Sequence, residues 1–180
     1  MKRLVKELMT GFSEIPVVDE DSTLFEAVLE IGVTRSNFSG SMRCPVALVV
    51  DKEKNVAGFL EFRLILKALE PGYEEFVEAA MEGGFSTDQI RLELQKHGLW
   101  EDALEGLCKK AGETVIKSLM TIPEDGQTTS ANSSINEAVY QMLVSGREYL
   151  YVMDGKNLAG LINLSDIMGY VCDTVRACRI

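Results

Sequence analysis

Val5-Lys6-Glu7-Leu8-Met9-Thr10 returns as Ile116-Lys117-Ser118-Leu119-Met120-Thr121, 111 residues later. Asp21-Ser22-Thr23-Leu24-Phe25-Glu26-Ala27-Val28 returns at the same offset as Asn132-Ser133-Ser134-Ile135-Asn136-Glu137-Ala138-Val139. Further on, Val49-Val50-Asp51 and Val56-Ala57-Gly58-Phe59-Leu60 are echoed by Val152-Met153-Asp154 and Leu158-Ala159-Gly160-Leu161-Ile162. The offset is smaller there, which marks extra residues in the first copy. A unit of about 60 residues is present twice, and the fold is read from that duplication.

Each copy opens with a short amphipathic turn ending in Met-Thr. An extended piece follows, Ile15-Pro16-Val17-Val18 in the first copy and Gln127-Thr128-Thr129-Ser130 in the second. A helix comes next, with Asp21 or Ser22, and Asn132 or Ser133, as its expected caps. Glu26 and Glu137 sit in the first turn, where a carboxylate opposes the helix dipole favourably. Leu24, Ala27, Val28 and Ile31 recur as Ile135, Ala138, Val139 and Met142 at helical spacing, so one face is expected to be buried.

Two apolar runs around a charged turn then read as a hairpin in each copy, Pro45–Val50 with Val56–Leu60 and Tyr149–Met153 with Leu158–Ile162. Closing helices are predicted over Phe62–Leu69 and from Ser165 to about Val175, the latter with Ile167, Met168, Val171, Cys172 and Val175 along one face. The prediction is an α+β fold, two small sheets each covered on one face by two helices. A sheet of about three strands has only a marginal core at this length. The two copies are therefore expected to pack sheet against sheet.

Two insertions interrupt the pattern. Residues 34–43 read as a Ser-, Gly- and Arg-rich surface loop. Residues 71–112 read as helical, with Tyr73, Phe76, Val77 and Ala80 on one stripe and Trp100, Ala103, Leu104 and Leu107 on another. Ser86-Thr87-Asp88 is placed to cap a middle helix running to about Lys96. The chain thus divides into a first repeat (1–70), a helical insertion (71–112) and a second repeat (113–180). His97 has no second His and no nearby Cys at ligand spacing, so no metal site is expected.

The net charge of −10 disfavours attraction to nucleic acid or to an anionic membrane surface. No run approaches the roughly 18 apolar residues of a membrane span. Lys6 and Glu7 interrupt any signal-like apolar stretch near the start, and a cytoplasmic location is the expectation. Cys44, Cys108, Cys172 and Cys178 lack C-x-x-C spacing and are expected to be reduced, mostly buried small hydrophobes. There is no phosphate loop, dinucleotide fingerprint, nucleophile elbow or H-E-x-x-H, and no enzyme activity is expected.

The Lys-x-Leu-Met-Thr heads, the Asp/Asn-Ser-Thr/Ser helix starts, the Val-Val-Asp and Val-Met-Asp strands and the Ala-Gly pairs before the last helices resemble the cystathionine-β-synthase (CBS) domain, which occurs in tandem as Bateman modules. The resemblance covers roughly 1–70 and 113–180. It implies two repeats related by a pseudo-twofold, a homodimer, and a regulatory module acting on an effector protein rather than an enzyme. It also implies an adenosine ligand (AMP, ADP, ATP or S-adenosylmethionine), as in energy sensing, in the cleft between repeats.

In ligand-binding members, a Gly-h-h-Thr/Ser-x-x-Asp stretch contacts a ribose; here it reads Gly160-Leu161-Ile162-Asn163-Leu164-Ser165-Asp166. Asp166 matches, Asn163 replaces the hydroxyl residue, and Ser165 stands between them. A carboxylate at a helix start is suited to accept from both ribose hydroxyls, while Asn163 or Ser165 could equally cap the helix. The site would be completed by Thr128, Thr129 and Ala131 on the leading strand, with Arg147 nearest a phosphate. The first copy has Glu61 and Leu64 at the two polar positions, so one dominant site is expected. The alternative is a ligand-free dimeric interaction scaffold whose working surface is the insertion. If the insertion docks, Trp100→Ala should lower the melting temperature or change the oligomeric state; no change in either, by differential scanning and light scattering, would contradict it.

Overall fold

The chain was described by a computed structural model, which covers residues 3–37, 45–69, 72–96 and 104–178. Its strands and helices run β1 (Thr10–Gly11), β2 (Val17–Asp19), α1 (Leu24–Asn37), β3 (Val46–Val50), β4 (Val56–Glu61) and α2 (Phe62–Leu69) in the first copy. The insertion holds α3 (Gly72–Glu82), α4 (Thr87–Lys96) and α5 (Leu104–Glu113). The second copy continues with β5 (Thr128–Ser130), α6 (Ile135–Ser145), β6 (Tyr149–Asp154), β7 (Asn157–Asn163) and α7 (Leu164–Ala177).

One sheet has the order β2-β3-β4 and the other β1-β7-β6-β5. Both predicted hairpins form as antiparallel pairs, and each leading strand lies parallel to the first hairpin strand, β2 on β3 and β5 on β6. Alternation along the strands explains why every residue of β3 is buried. Ala47 and Val49 join Val18, Leu24, Ala27, Leu60 and Ile65 beneath the helices. Val46, Leu48 and Val50 face the other way and meet Phe59, Tyr151 and Leu161 between the sheets. The sheets therefore pack face to face, with the Phe59 and Tyr151 rings 4.1 Å apart at the centre.

The head of each copy crosses to the other. Val5 and Lys6 donate backbone hydrogen bonds to Ser133 O and Ala131 O (2.9 and 3.0 Å), while Ile116 and Lys117 donate to Ser22 O and Glu20 O (both 2.9 Å). Val5 is buried in the core of the second copy and Ile116 in that of the first; full burial of such a side chain is worth about 1.5–3 kcal/mol. β1 then adds to β7, pairing Thr10 with Leu161, and Thr121 bridges Phe59 on β4 in the same way. These matched bonds at the 111-residue offset are the pseudo-twofold relation between the copies.

The structure moves several predicted details. The caps lie one residue later: Ser134 caps α6 in a reciprocal bond with Glu137, and Thr23 and Glu26 make the same exchange at α1. The chain turns out of its β-strand conformation only there, so the side chain positioned to meet the third helical N–H is Thr23 or Ser134. α1 continues through Asn37, into the predicted loop, and Val28 on it is exposed. On α7 only Ile167 is buried; Met168, Val171, Cys172 and Val175 face outward. Cys108, Cys172 and Cys178 are free and exposed, contrary to expectation: Cys108 and Cys172 stand on outward helix faces and Cys178 just past the end of α7.

In the insertion, α4 starts where Ser86 predicts it, with Gln89 and Ser86 bonded reciprocally. Ala80 and Ile90 are buried, and α5 lies against α1 and α2 with Ala111 in the first copy's core. Trp100, His97, Cys44 and residues 38–43 lie outside the described residues. No helix among the described residues is long and apolar enough to cross a membrane.

The crossed heads require glycine at two points. A Cβ on Gly160 would stand 2.2 Å from Thr10 O, and one on Gly58 2.8 Å from Thr121 O. Because the obstacle is backbone, Gly160→Ala should destabilise by about 1–3 kcal/mol and by more than Gly58→Ala. Chemical denaturation checks the ranking, and equal or negligible losses would contradict the close approach.

Candidate functional site

At the end of β7 the chain turns into α7 at Asn163. This residue is buried and extended, and its side-chain oxygen accepts from the Asp166 N–H at 3.0 Å, capping the helix. The Ser165 hydroxyl also donates to Asn163 Oδ1. Asp166, in the first turn, is half-buried with its Oδ2 atom inside. The positive end of a 14-residue helix favours the ionised carboxylate there. Asn163, Ser165 and Asp166 thus form one hydrogen-bonded group between β7 and α7, with Ser165 open to solvent.

Arg147 is near this group. The Leu164 N–H donates to Glu148 O at 2.8 Å, which places the start of β6 beside the start of α7, and Arg147 is half-buried one residue before. The leading strand is farther off. β6 separates β5 from β7, so Thr128 and Thr129 are two strands from Asn163, roughly 10 Å across the sheet. Thr128 shares the inter-sheet face with its register partner Tyr151, while Thr129 pairs with Val152 and faces the helices, largely buried. Ala131 is a core residue, packed with Val5, Ile135 and Val152 and 3% exposed, so its side chain faces the interior. It entered the core because its carbonyl receives the crossing head.

The matching position in the first copy is different. Glu61 replaces Asn163, is 7% exposed, and accepts from Arg63 Nε at 2.5 Å. Leu64 stands where Asp166 does. Across the sheet interface Glu61 acts electrostatically on Tyr149 and Tyr151, whose two rings lie edge to face at 5.6 Å. Sequence reasoning passed over Tyr149 and Tyr151 as ordinary strand residues. Their two-residue spacing on β6, beside the polar Glu61, was the available signal.

Among the described residues there is no group of three or more His, Cys, Asp or Glu side chains placed to hold a metal ion. The start of α7 presents a carboxylate, an amide and a hydroxyl, groups able to hydrogen-bond neutral hydroxyls and polar edges.

Residues 114–173 match the family model of the CBS domain, a span that holds β5 through most of α7 and all seven predicted site residues. No curated protein matches the sequence. Among solved structures, the chain resembles a CBS-domain-containing protein from Kribbella flavida, with 18% identity and a TM-score of 0.55 over 94% of this chain and 99% of that one. It also resembles a CBS-domain protein from Thermoplasma acidophilum (17%, TM-score 0.54, 94% and 70%) and CBSX2 in complex with AMP (17%, 0.56, 95% and 97%). At these identities the likeness is one of fold, and the fold is the tandem CBS pair.

Burial, followed by the Glu61 charge, pushes the Tyr149 phenol above its ordinary 10.0. Burial, with Tyr149 beside it, raises Tyr151 as well. The folded state then keeps protons that the unfolded chain releases. The stabilising contribution is complete below pH 10.0 and is lost as pH rises through the folded values. In an alkaline titration followed by phenolate absorbance, two of the five tyrosines should ionise only as the fold opens. Reversible ionisation of all five near the ordinary value would contradict this burial.

Proposed function

We propose, taking as premise that this chain is a tandem CBS pair, that it is a stand-alone regulatory module binding an adenosine compound between the copies. AMP, ADP, ATP and S-adenosylmethionine are the candidate ligands, in a role such as energy sensing. The observation that carries this reading is the Asn163-Ser165-Asp166 group at the start of α7. It offers a half-buried carboxylate to a ribose diol, and it lies within the span that matches the CBS model. Asp166 takes the ribose, Asn163 and Ser165 orient it, Thr128 lines the approach from β5 with Thr129 behind it, and Arg147 faces a phosphate. The structure of CBSX2 with AMP supports the choice of an adenine nucleotide as the first probe.

The division into 1–70, 71–112 and 113–180 makes the two repeats the sensor and the insertion its lever on a cytoplasmic effector protein. A ligand regulates only by binding one arrangement better than another, so the readout is a change in pairing. Pairing surface is abundant. Tyr140, Leu143 and Val144 on α6 are each more than 70% exposed, and Met168, Val171 and Val175 on α7 and Leu29 and Val33 on α1 are also exposed. We place a homodimer contact on these helix faces. The same exposure favours the second reading, a dimeric scaffold that needs no ligand.

A thermal-shift screen against AMP, ADP, ATP, S-adenosylmethionine and NAD at millimolar concentration separates the two readings. A ligand at 100 times its Kd stabilises by about 2.7 kcal/mol. The expected result is a rise in Tm with at least one adenosine compound, abolished by Asp166→Ala. A flat screen would refute the sensor and leave the scaffold.

A further inference from the structure

A matching row of residues crosses each sheet at the end where the candidate site lies. In the second copy it runs from Asn163 on β7, through its register partner Tyr149 on β6, to Gly126, two residues before Thr128, the partner of Tyr151. In the first copy it runs from Glu61 on β4, through Val46 on β3, to Ile15, two residues before Val17, the partner of Leu48. The backbone confirms the match, since Tyr151 N donates to Gln127 O at 2.9 Å and Leu48 N to Pro16 O at 2.7 Å. The first copy's row is closed. Ile15, Val46 and Glu61 are 3%, 0% and 7% exposed, and Ile15 belongs to the inter-sheet cluster with Val46 and Leu48. The second copy's row is open: Asn163 is buried, but Tyr149 is half-buried, Gly126 is exposed, and a Cβ on Gly126 would meet nothing within 4 Å.

A turn and a clamp hold the second row open. Gln127 N donates to Glu124 O at 3.0 Å, closing a turn whose third residue, Gly126, has a φ of 85°, a conformation glycine takes without strain. Gln141 on α6 then donates from Nε2 to Gly126 O (2.9 Å) and Thr128 O (2.8 Å). Those carbonyls alternate with Gln127 O, which is bonded to β6, so they lie on the outer edge of β5, the last strand of its sheet. One planar amide thus fixes the strand start where it stands. At the 111-residue offset the first copy has Glu30, an exposed carboxylate with no N–H to offer. Its segment instead turns over Phe12–Glu14 and drops Ile15 into the inter-sheet layer.

We infer that Gln141 is a positioning residue for the second cleft: it holds the start of β5 so that the space Ile15 fills in the first copy is left clear of side chains in the second and receives a flat heterocyclic base beside Tyr149. This deepens the nucleoside reading and rests on it. Asn163, with Asp166 bonded to it, ends the row on one side and Gly126 ends it on the other, two strand spacings or roughly 10 Å away. A ribose at Asp166 therefore brings its base to Tyr149, whose ring offers a stacking surface. The carboxylate end binds the sugar and the glycine end admits the base. The first copy, with Leu64 and Ile15 at the two places, stays closed.

Calorimetric titration of the full chain with AMP, and displacement of that AMP by ribose 5-phosphate, which lacks the base, test the inference. The native chain should take one AMP. Gln141→Met, which keeps the length and removes the donors, should weaken AMP by about tenfold, the order of one base stack, and leave ribose 5-phosphate within about twofold. Gly126→Asn should do the same, because asparagine also takes the left-handed conformation and its side chain enters the base's space. Asp166→Ala should weaken both probes. Unchanged AMP affinity in the folded Gln141 and Gly126 variants, equal losses of AMP and ribose 5-phosphate, or two AMP on the native chain would overturn the inference and leave the nucleoside reading standing. No AMP on the native chain, or AMP that ribose 5-phosphate cannot displace, would refute that reading for AMP, and the inference with it.

Discussion

The crossing of the two Met-Thr heads is the constraint on which the rest of the structure depends. Each head buries Val5 or Ile116 in the other copy and ends as an edge strand or bridge on the other sheet. A three-stranded sheet with two helices does not bury enough apolar surface to stand alone. By exchanging heads the copies share one interior, and the inter-sheet layer of Val46, Leu48, Phe59, Tyr151 and Leu161 becomes the centre of the molecule. Gly58 and Gly160 follow from the same constraint, since only a residue without a Cβ lets the crossing backbone come so close.

Once the copies are locked, the two helix starts facing the interface are free to diverge. At α7 the residues are Asn163, Ser165 and Asp166; at α2 they are Glu61, Arg63 and Leu64. The first set keeps a carboxylate in the helix's first turn, where the dipole favours its charge. The second puts its carboxylate in the capping position, buried, and neutralises it locally with a guanidinium. The pair is therefore a symmetric scaffold with asymmetric chemistry at its two helix starts.

Much of this was legible in the sequence. Hairpins, leading strands and the α2 and α4 helices fall close to their predicted places because alternation, turn residues and the Ser86 cap are local signals. The repeat further predicted that the sheets would pack together. The crossing was not legible, since a head that bonds its neighbour and one that bonds its own copy have the same residues. The off-by-one caps arose because Ser-Thr and Ser-Ser offer adjacent candidates, and only the backbone turn selects Thr23 and Ser134. Helical spacing overstated burial on α7, where apolar residues flank the buried stripe and remain on the surface. For the site, Asn163, Ser165 and Asp166 came together as their spacing implied. That the Ala131 side chain lies in the core was not legible, because alternation cannot tell a cleft-facing residue from one drawn inward by a crossing segment.

The account centres on a nucleoside held at the start of α7 and not at the start of α2. Hydrogen exchange followed with and without AMP reads both places at once. The account predicts added protection in residues 163–168, with 61–66 unchanged; equal protection at both, or protection at 61–66 alone, would contradict it.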